Sequence, residues 1–183
     1  MSEILFALWF YLPAGNANMA PIFAVKIKWL DRLNVPIDFG LTFRGKRLFG
    51  ENKTVRGFVA GYFAAWIALV AQIWLYHHVG FIHDISLIDY GQINIWLLSA
   101  VFSIGALGGD ALESFFKRQA DIKPGQSWAP FDQMDWIVGA VLLSLSVTNF
   151  PANVYLWAVA WGMLLHPIST VIGWFFKLKD KPI

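Results

Sequence analysis

Four stretches of the chain contain no Asp, Glu, Lys or Arg: residues 4–25, 57–83, 90–109 and 136–176. A bilayer core is crossed by about 20 apolar residues in a helix. Each of the first three stretches therefore holds one crossing. The fourth is long enough for two, and Asn149-Phe150-Pro151-Ala152-Asn153 supplies the turn between them. The pattern predicts an all-α, polytopic membrane protein with five transmembrane helices, at about 4–25, 57–77, 93–112, 135–150 and 154–176, in a single domain over 1–183. Polar connections at 26–56 and 113–134 join them. The fourth span is short, which suits a tilted or deeply packed helix. Pro13, Asn16, Asn18 and Pro21 interrupt the first apolar run. With no basic segment ahead of it, this run reads as a retained, irregular helix rather than a cleaved leader.

Charge placement orients these spans. All 14 Lys and Arg fall within 26–56, 117–123 and 177–181, and none lies near 78–92 or 150–153. Basic connections face the cytoplasm, so five spans put the N-terminus outside and the C-terminus in the cytoplasm. The alternation is consistent across every span. His77, His78 and His83 fall on the outer side, where they read as interface anchors. The expected location is the cytoplasmic (inner) membrane of a prokaryote, with any site on its polar side facing the cytoplasm.

Composition then removes whole classes of function. Hydrophobic residues make up 57% of the chain and charged residues only 14%, against about 25% charged in a soluble domain. The chain has no cysteine, which excludes a disulfide scaffold, thiolate-bound zinc, iron–sulfur chemistry and a cysteine nucleophile. Nucleic acid is not an expected partner. A homodimer is compatible with so small a bundle.

Chemistry concentrates in the two long cytoplasmic connections. The first runs Pro36-Ile37-Asp38-Phe39-Gly40, then from Arg44-Gly45-Lys46-Arg47 to Lys53-Thr54-Val55-Arg56-Gly57. Over 26–56 it carries eight basic and three acidic residues. Basic side chains interleaved with glycines let cations and backbone N–H groups approach phosphate oxygens. A P-loop is excluded, because no GxxxxGK[ST] pattern is present.

The second region begins in Gly108-Gly109-Asp110 and ends in Pro130-Phe131-Asp132-Gln133-Met134-Asp135. If the third span continues past Asp110, then Asp110, Glu113, Ser114 and Lys117 occupy one helix face at i, i+3, i+4 and i+7. Asp132 and Asp135 form a second acidic pair at the start of span four. Carboxylates this close repel unless a cation sits among them. Oxygen ligands without His or Cys favour a hard ion such as Mg²⁺, which takes the rest of its shell from water and substrate phosphates. Asp110, Glu113, Asp132 and Asp135 are therefore the candidate metal ligands, with a second cation left open.

These motifs resemble those of the membrane cytidylyltransferases that make CDP-activated lipids. The run Ser114-x-x-Lys117-Arg118, Ile122-Lys123-Pro124-Gly125 and Pro130-x-Asp132-x-x-Asp135 is similar to the signature of bacterial phosphatidate cytidylyltransferase. The match to the shorter CDP-archaeol synthase family is fuller. Pro36/Asp38-Phe39-Gly40, Gly45 to Gly57, Gly109 to Arg118 and Asp132-Gln133/Asp135 follow that family's four elements in order. Val55 and Gln119 stand where the family usually has an aromatic and a second basic residue.

The resemblance implies a reaction in which CTP and a membrane glycerol-phosphate lipid give a CDP-lipid and pyrophosphate. It implies catalytic roles for Lys53, Lys117, Arg118 and Asp132. It implies substrate contacts from Lys53, Thr54, Arg56, Ser114, Asp38 and Asn18. Two rival functions predict other patterns. A CDP-alcohol phosphotransferase would carry a paired-aspartate motif, D-G-x2-A-R-x8-G-x3-D-x3-D, which is absent from the sequence. A small transporter or lipid-binding protein would place polar residues at mid-membrane, and beyond span one the spans hold few.

Overall fold

The computed structural model describes residues 2–123 and 126–175. Pro124, Gly125 and the basic segment after 176 lie outside them. Among the described residues, six helices account for most of the structure: α1 (Ser2–Ala24), α2 (Val55–His78), α3 (Gly80–Ile85), α4 (Ile95–Gln119), α5 (Phe131–Ser144) and α6 (Ala152–Phe175). A 3₁₀ turn at Lys28–Leu33 follows α1. A two-stranded antiparallel ribbon, β1 (Thr42–Phe43) and β2 (Lys46–Arg47), departs from the expected all-α chain. Arg44 and Gly45 both take positive φ, 54° and 76°, and two such residues in succession make the tight hairpin turn that suits strand twist.

Five long helices fall where charge-free stretches were found, with shifted ends. Helix α4 runs seven residues past the expected limit at 112, so the acidic face lies on the same rigid rod as the apolar span. Helix α5 starts earlier than expected and stops at Ser144 rather than near 150. There the chain's own hydroxyls take over the helix-end carbonyls: Ser144 Oγ donates to Val141 O, Ser146 Oγ to Leu143 O, and Thr148 Oγ1 to Ser144 O. Such side-chain bonds compete with helix continuation. Helices α2 and α4 begin with side-chain caps. Thr54 Oγ1 accepts from Gly57 N–H and Asn94 Oδ1 from Leu97 N–H, which satisfies donors the helix leaves free.

Helix α1 packs against α2, α4, α5 and α6 and forms the hub. Its Phe6 and Phe10 meet Phe102 of α4 and Phe150 in edge-on ring pairs with centroids 5.0–5.2 Å apart. Each such pair stabilises by about 1 kcal/mol beyond the area it buries. Two polar contacts cross the bundle: Tyr11 Oη lies 2.7 Å from Ser144 Oγ, and Gln72 donates to the carbonyl of Trp9. Among the described residues, α2 and α4 are long and apolar enough to cross a membrane. The three histidines at 77, 78 and 83 are engaged with aromatics: His78 stacks on Trp74, and Tyr76 touches His77 and His83.

Candidate active site

The site begins with three glycines. A methyl group on Gly105 would come within 2.8 Å of Ala140 Cα, and one on Gly109 or Gly139 would strike the facing helix backbone at Asp135 or Gly105. Spacing of small residues four apart lets α4 and α5 approach backbone to backbone. Gly108, on another face, has open space beside it. This close approach brings the end of α4 against the start of α5. Carboxylate oxygens of Asp110, Glu113 and Asp135 then lie within 4.8 Å of one another. Glu113 is buried and the other two are half-buried. An all-oxygen donor set without His or Cys fits a hard divalent cation.

Two lysines neutralise part of this charge. Lys117 Nζ lies 2.9 Å from Glu113 Oε1 and 2.5 Å from Asp132 Oδ1, so it bridges α4 to α5. Lys53 Nζ, from the connection before α2, donates to Asp110 Oδ2 at 2.6 Å. Asp135 has no lysine or arginine partner among the described ion pairs, and its Oδ1 accepts from Trp136 N–H at 2.5 Å. Four carboxylates against two ammonium groups leave a formal charge of −2, which one divalent cation would balance. Asp132, expected as a metal ligand, is not one of the three mutually close carboxylates, although it adjoins Glu113 and shares Lys117 with it. One of its oxygens faces Lys117 and the other accepts from Trp128 N–H at 2.8 Å.

The remaining expected residues divide by position. Asn18, Thr54 and Lys53 line a cleft of about 310 Å³ between α1, α2 and α4, together with Asn52, Asp110 and Leu107. Asn52 was missed in the sequence, although it adjoins the Lys53-Thr54 pair. Thr54 spends its hydroxyl as the α2 cap. Arg56 pairs with Asp31 of the 3₁₀ turn at 2.9 Å. Ser114 is buried on α4. Arg118 has a buried Nε without a hydrogen-bond partner.

Asp38 was expected to contact substrate, yet its oxygens are already filled. It accepts from Arg47 Nη2 at 2.6 Å and Nε at 3.3 Å, and from the N–H groups of Gly40, Phe49 and Gly50 at 3.0–3.1 Å. The side chain is fully buried. Burial opposes its ionisation, but the Arg47 guanidinium and these N–H donors prevail and hold its carboxyl well below the usual carboxylate range. The same pairing raises the pKa of Arg47. Asp38 is therefore the organising centre of the connection rather than an open ligand.

The chain is similar to known proteins over most or all of its length. The family model described as CarS-like CDP-archaeol synthase matches residues 1–183. The chain is 30% identical to the CDP-archaeol synthase of Pyrococcus furiosus over 184 aligned residues, covering 100% of this chain and 99% of that one. It is 34% identical over 156 residues to the enzyme of the same name from Methanosarcina mazei, covering 80% and 89%. A solved structure described as an intramembrane enzyme for archaeal membrane lipid biosynthesis superposes with a TM-score of 0.70 at 29% identity, over 92% of this chain and 94% of that chain.

Proposed function

The chain belongs to the CDP-archaeol synthase family and is a CTP-dependent cytidylyltransferase of the membrane, and from that premise we propose that it activates an ether-linked, archaeol-type glycerol phosphate. An oxygen of the lipid phosphate attacks the α-phosphorus of CTP. The bond from that phosphorus to the oxygen bridging the β-phosphorus breaks, and its electron pair leaves with pyrophosphate. The lipid phosphate is already anionic at neutral pH, so the reaction needs no strong general base. The work lies in bringing two polyanions together and in accepting the charge that collects on the leaving group.

The residues of the site fit those tasks. Asp110, Glu113 and Asp135 would hold one Mg²⁺, which when bound supplies Lewis acidity toward phosphate oxygens and a template for the triphosphate. Lys53 presents its ammonium group to Asp110, and Lys117 presents its own to Glu113 and Asp132. Asp132 holds Lys117 in place between two acidic partners. Arg118 offers a buried N–H with no protein acceptor, and a phosphate oxygen would satisfy it. The cleft beside Lys53 pairs the polar groups of Asn18, Asn52 and Thr54 with apolar walls from Met19, Ile22 and Phe58. That mixture suits head groups reacting at the polar edge of a bilayer while the lipid chains stay among apolar helices.

The reading includes five crossings, with α1, α2, α4, α5 and α6 in the bilayer and the site on the cytoplasmic side, where CTP is found. The meeting of Lys53 with Asp110 beside the carboxylate cluster is the observation that carries it. The test is a substrate panel: purified protein, CTP, Mg²⁺ and glycerol phosphates bearing either ether-linked isoprenoid or ester-linked fatty chains. Pyrophosphate release with the ether lipid is expected. A clear preference for the ester lipid would overturn the assigned substrate, and CMP release from a CDP-lipid would indicate a phosphotransferase instead.

A further inference from the structure

We infer that Asp38 and Lys46 are positioning residues, which fix the basic connection on α4 and so set Lys53 against the reacting phosphates. This inference rests on the cytidylyltransferase reading above. Neither side chain touches the carboxylate cluster, yet a short, continuous path of contacts joins each of them to it.

The path from Asp38 is one residue long. Its carboxylate collects the Arg47 guanidinium and three backbone N–H groups, closing the segment from 38 to 50 on itself. The next residue back, Ile37, donates its N–H to the carbonyl of Lys53 at 2.8 Å. Pro36 and Thr54 form the adjoining antiparallel bridge, and Val55 N–H donates to Val35 O at 2.9 Å. Lys53 thus leaves a backbone clamped on one side by this pairing and on the other by the start of α2. Its ammonium reaches Asp110 from there.

The second anchor lies farther down α4. Lys46 sits on the ribbon whose other strand contains Phe43. Lys46 Nζ lies 2.7 Å from Asp121 and donates to the Gln119 carbonyl at 3.0 Å. Phe43 meets Phe115 with ring centroids 6.0 Å apart. The connection therefore touches α4 at Asp110 and again at Phe115 and Gln119, with Asp121 just past the helix end, so its contacts lie on either side of Glu113. Two anchors restrict both the height and the tilt of the loop. Asp38 also holds Phe39 at φ 47°, a left-handed conformation that non-glycine residues adopt only when their surroundings impose it. A loop that only connected α1 to α2 would not need a buried carboxylate with every oxygen filled.

The absence of cysteine makes the test direct. Exposed Leu41 and Ala120 are replaced by cysteine and spin-labelled, and the inter-label distance distribution is measured by pulsed electron resonance beside steady-state kinetics. Asp38→Asn should broaden the distribution and lower kcat by about 10- to 100-fold, the scale of a misplaced group, with KM for CTP within about threefold of wild type. Lys46→Ala leaves the Asp38 centre intact and should produce the same pattern to a smaller degree, which covers the case in which Asp38→Asn fails to fold. A broadened distribution with unchanged kcat in Lys46→Ala would overturn the inference. So would a fall in kcat with an unchanged distribution, because Asp38 would then act on substrate directly. A wild type that releases no pyrophosphate would remove the function and the inference together, and that result is separate from either variant pattern.

Discussion

Lys53 and Asp110 are 57 positions apart in the chain and meet at 2.6 Å, joining the connection before α2 to the C-terminal half of α4. Neither partner is fully buried: their side chains are 20% and 29% exposed. The pair is open to exchange, and a phosphate oxygen could take the ammonium while a cation takes the carboxylate. Lys53→Ala should lower kcat by about 10²-fold or more, the scale of losing one donor to developing charge. Pyrophosphate release at saturating CTP measures it.

Lys117 plays a different part. Its ammonium is largely enclosed by Glu113 and Asp132, all three side chains being under 20% exposed. Lys117→Ala leaves two acidic groups facing each other without a counter-charge. A loss of about 3 kcal/mol in stability is expected, as when one partner of a buried pair is removed, together with loss of turnover. Thermal unfolding in detergent and the pyrophosphate assay report the two effects.

Gly109→Ala would place a methyl group against the Asp135 backbone and push α5 away from α4. The expected destabilisation is about 1–3 kcal/mol, the range for overpacking. Activity should fall further than the melting point suggests, because the carboxylates of the two helices would separate. The same substitution at Gly108, which has open space beside it, should leave the melting point nearly unchanged. A matched pair of unfolding curves decides the point.

Acid should loosen the connection through Asp38. Its carboxyl is held below its ordinary value in the folded protein, while an unfolded Asp titrates near about 4. The stabilisation is therefore complete above that ordinary value and is lost as pH falls through the folded one. Melting points measured downward from pH 6 should decline for wild type below about pH 4, and Asp38→Asn should show a flatter profile from a lower starting value.

Much of this was legible in the sequence because two of its signals are blunt. Charge-free stretches locate long helices in an apolar solvent, and α1, α2, α4, α5 and α6 follow them. The i, i+3, i+4, i+7 spacing from Asp110 to Lys117 needed only that the helix continue, which α4 does. Helix ends were harder. Where α5 stops depends on Ser144, Ser146 and Thr148 turning back onto carbonyls, and hydropathy does not register that. Short α3 and the 42–47 ribbon lay inside segments read as connections. Asp38 has a physical ambiguity in the sequence: an acidic residue among basic ones suits a ligand contact and a loop centre equally well. Only the placement of Gly40, Arg47, Phe49 and Gly50 around it separates the two. Which three of the four carboxylates gather likewise depends on how the end of α4 meets the start of α5, and spacing along a helix does not fix that.

The central claim is that Asp110, Glu113 and Asp135 share one divalent cation on which turnover depends. Its most direct test is the Mg²⁺ dependence of pyrophosphate release from CTP and the lipid phosphate, in wild type and in Asp135→Asn of equal helicity. Wild type should saturate along a single-site curve and stop when the ion is chelated, while Asp135→Asn should need at least about tenfold more Mg²⁺, as when a metal site is weakened, and reach a lower plateau. An Asp135→Asn protein with the same Mg²⁺ midpoint and plateau as wild type would contradict the account.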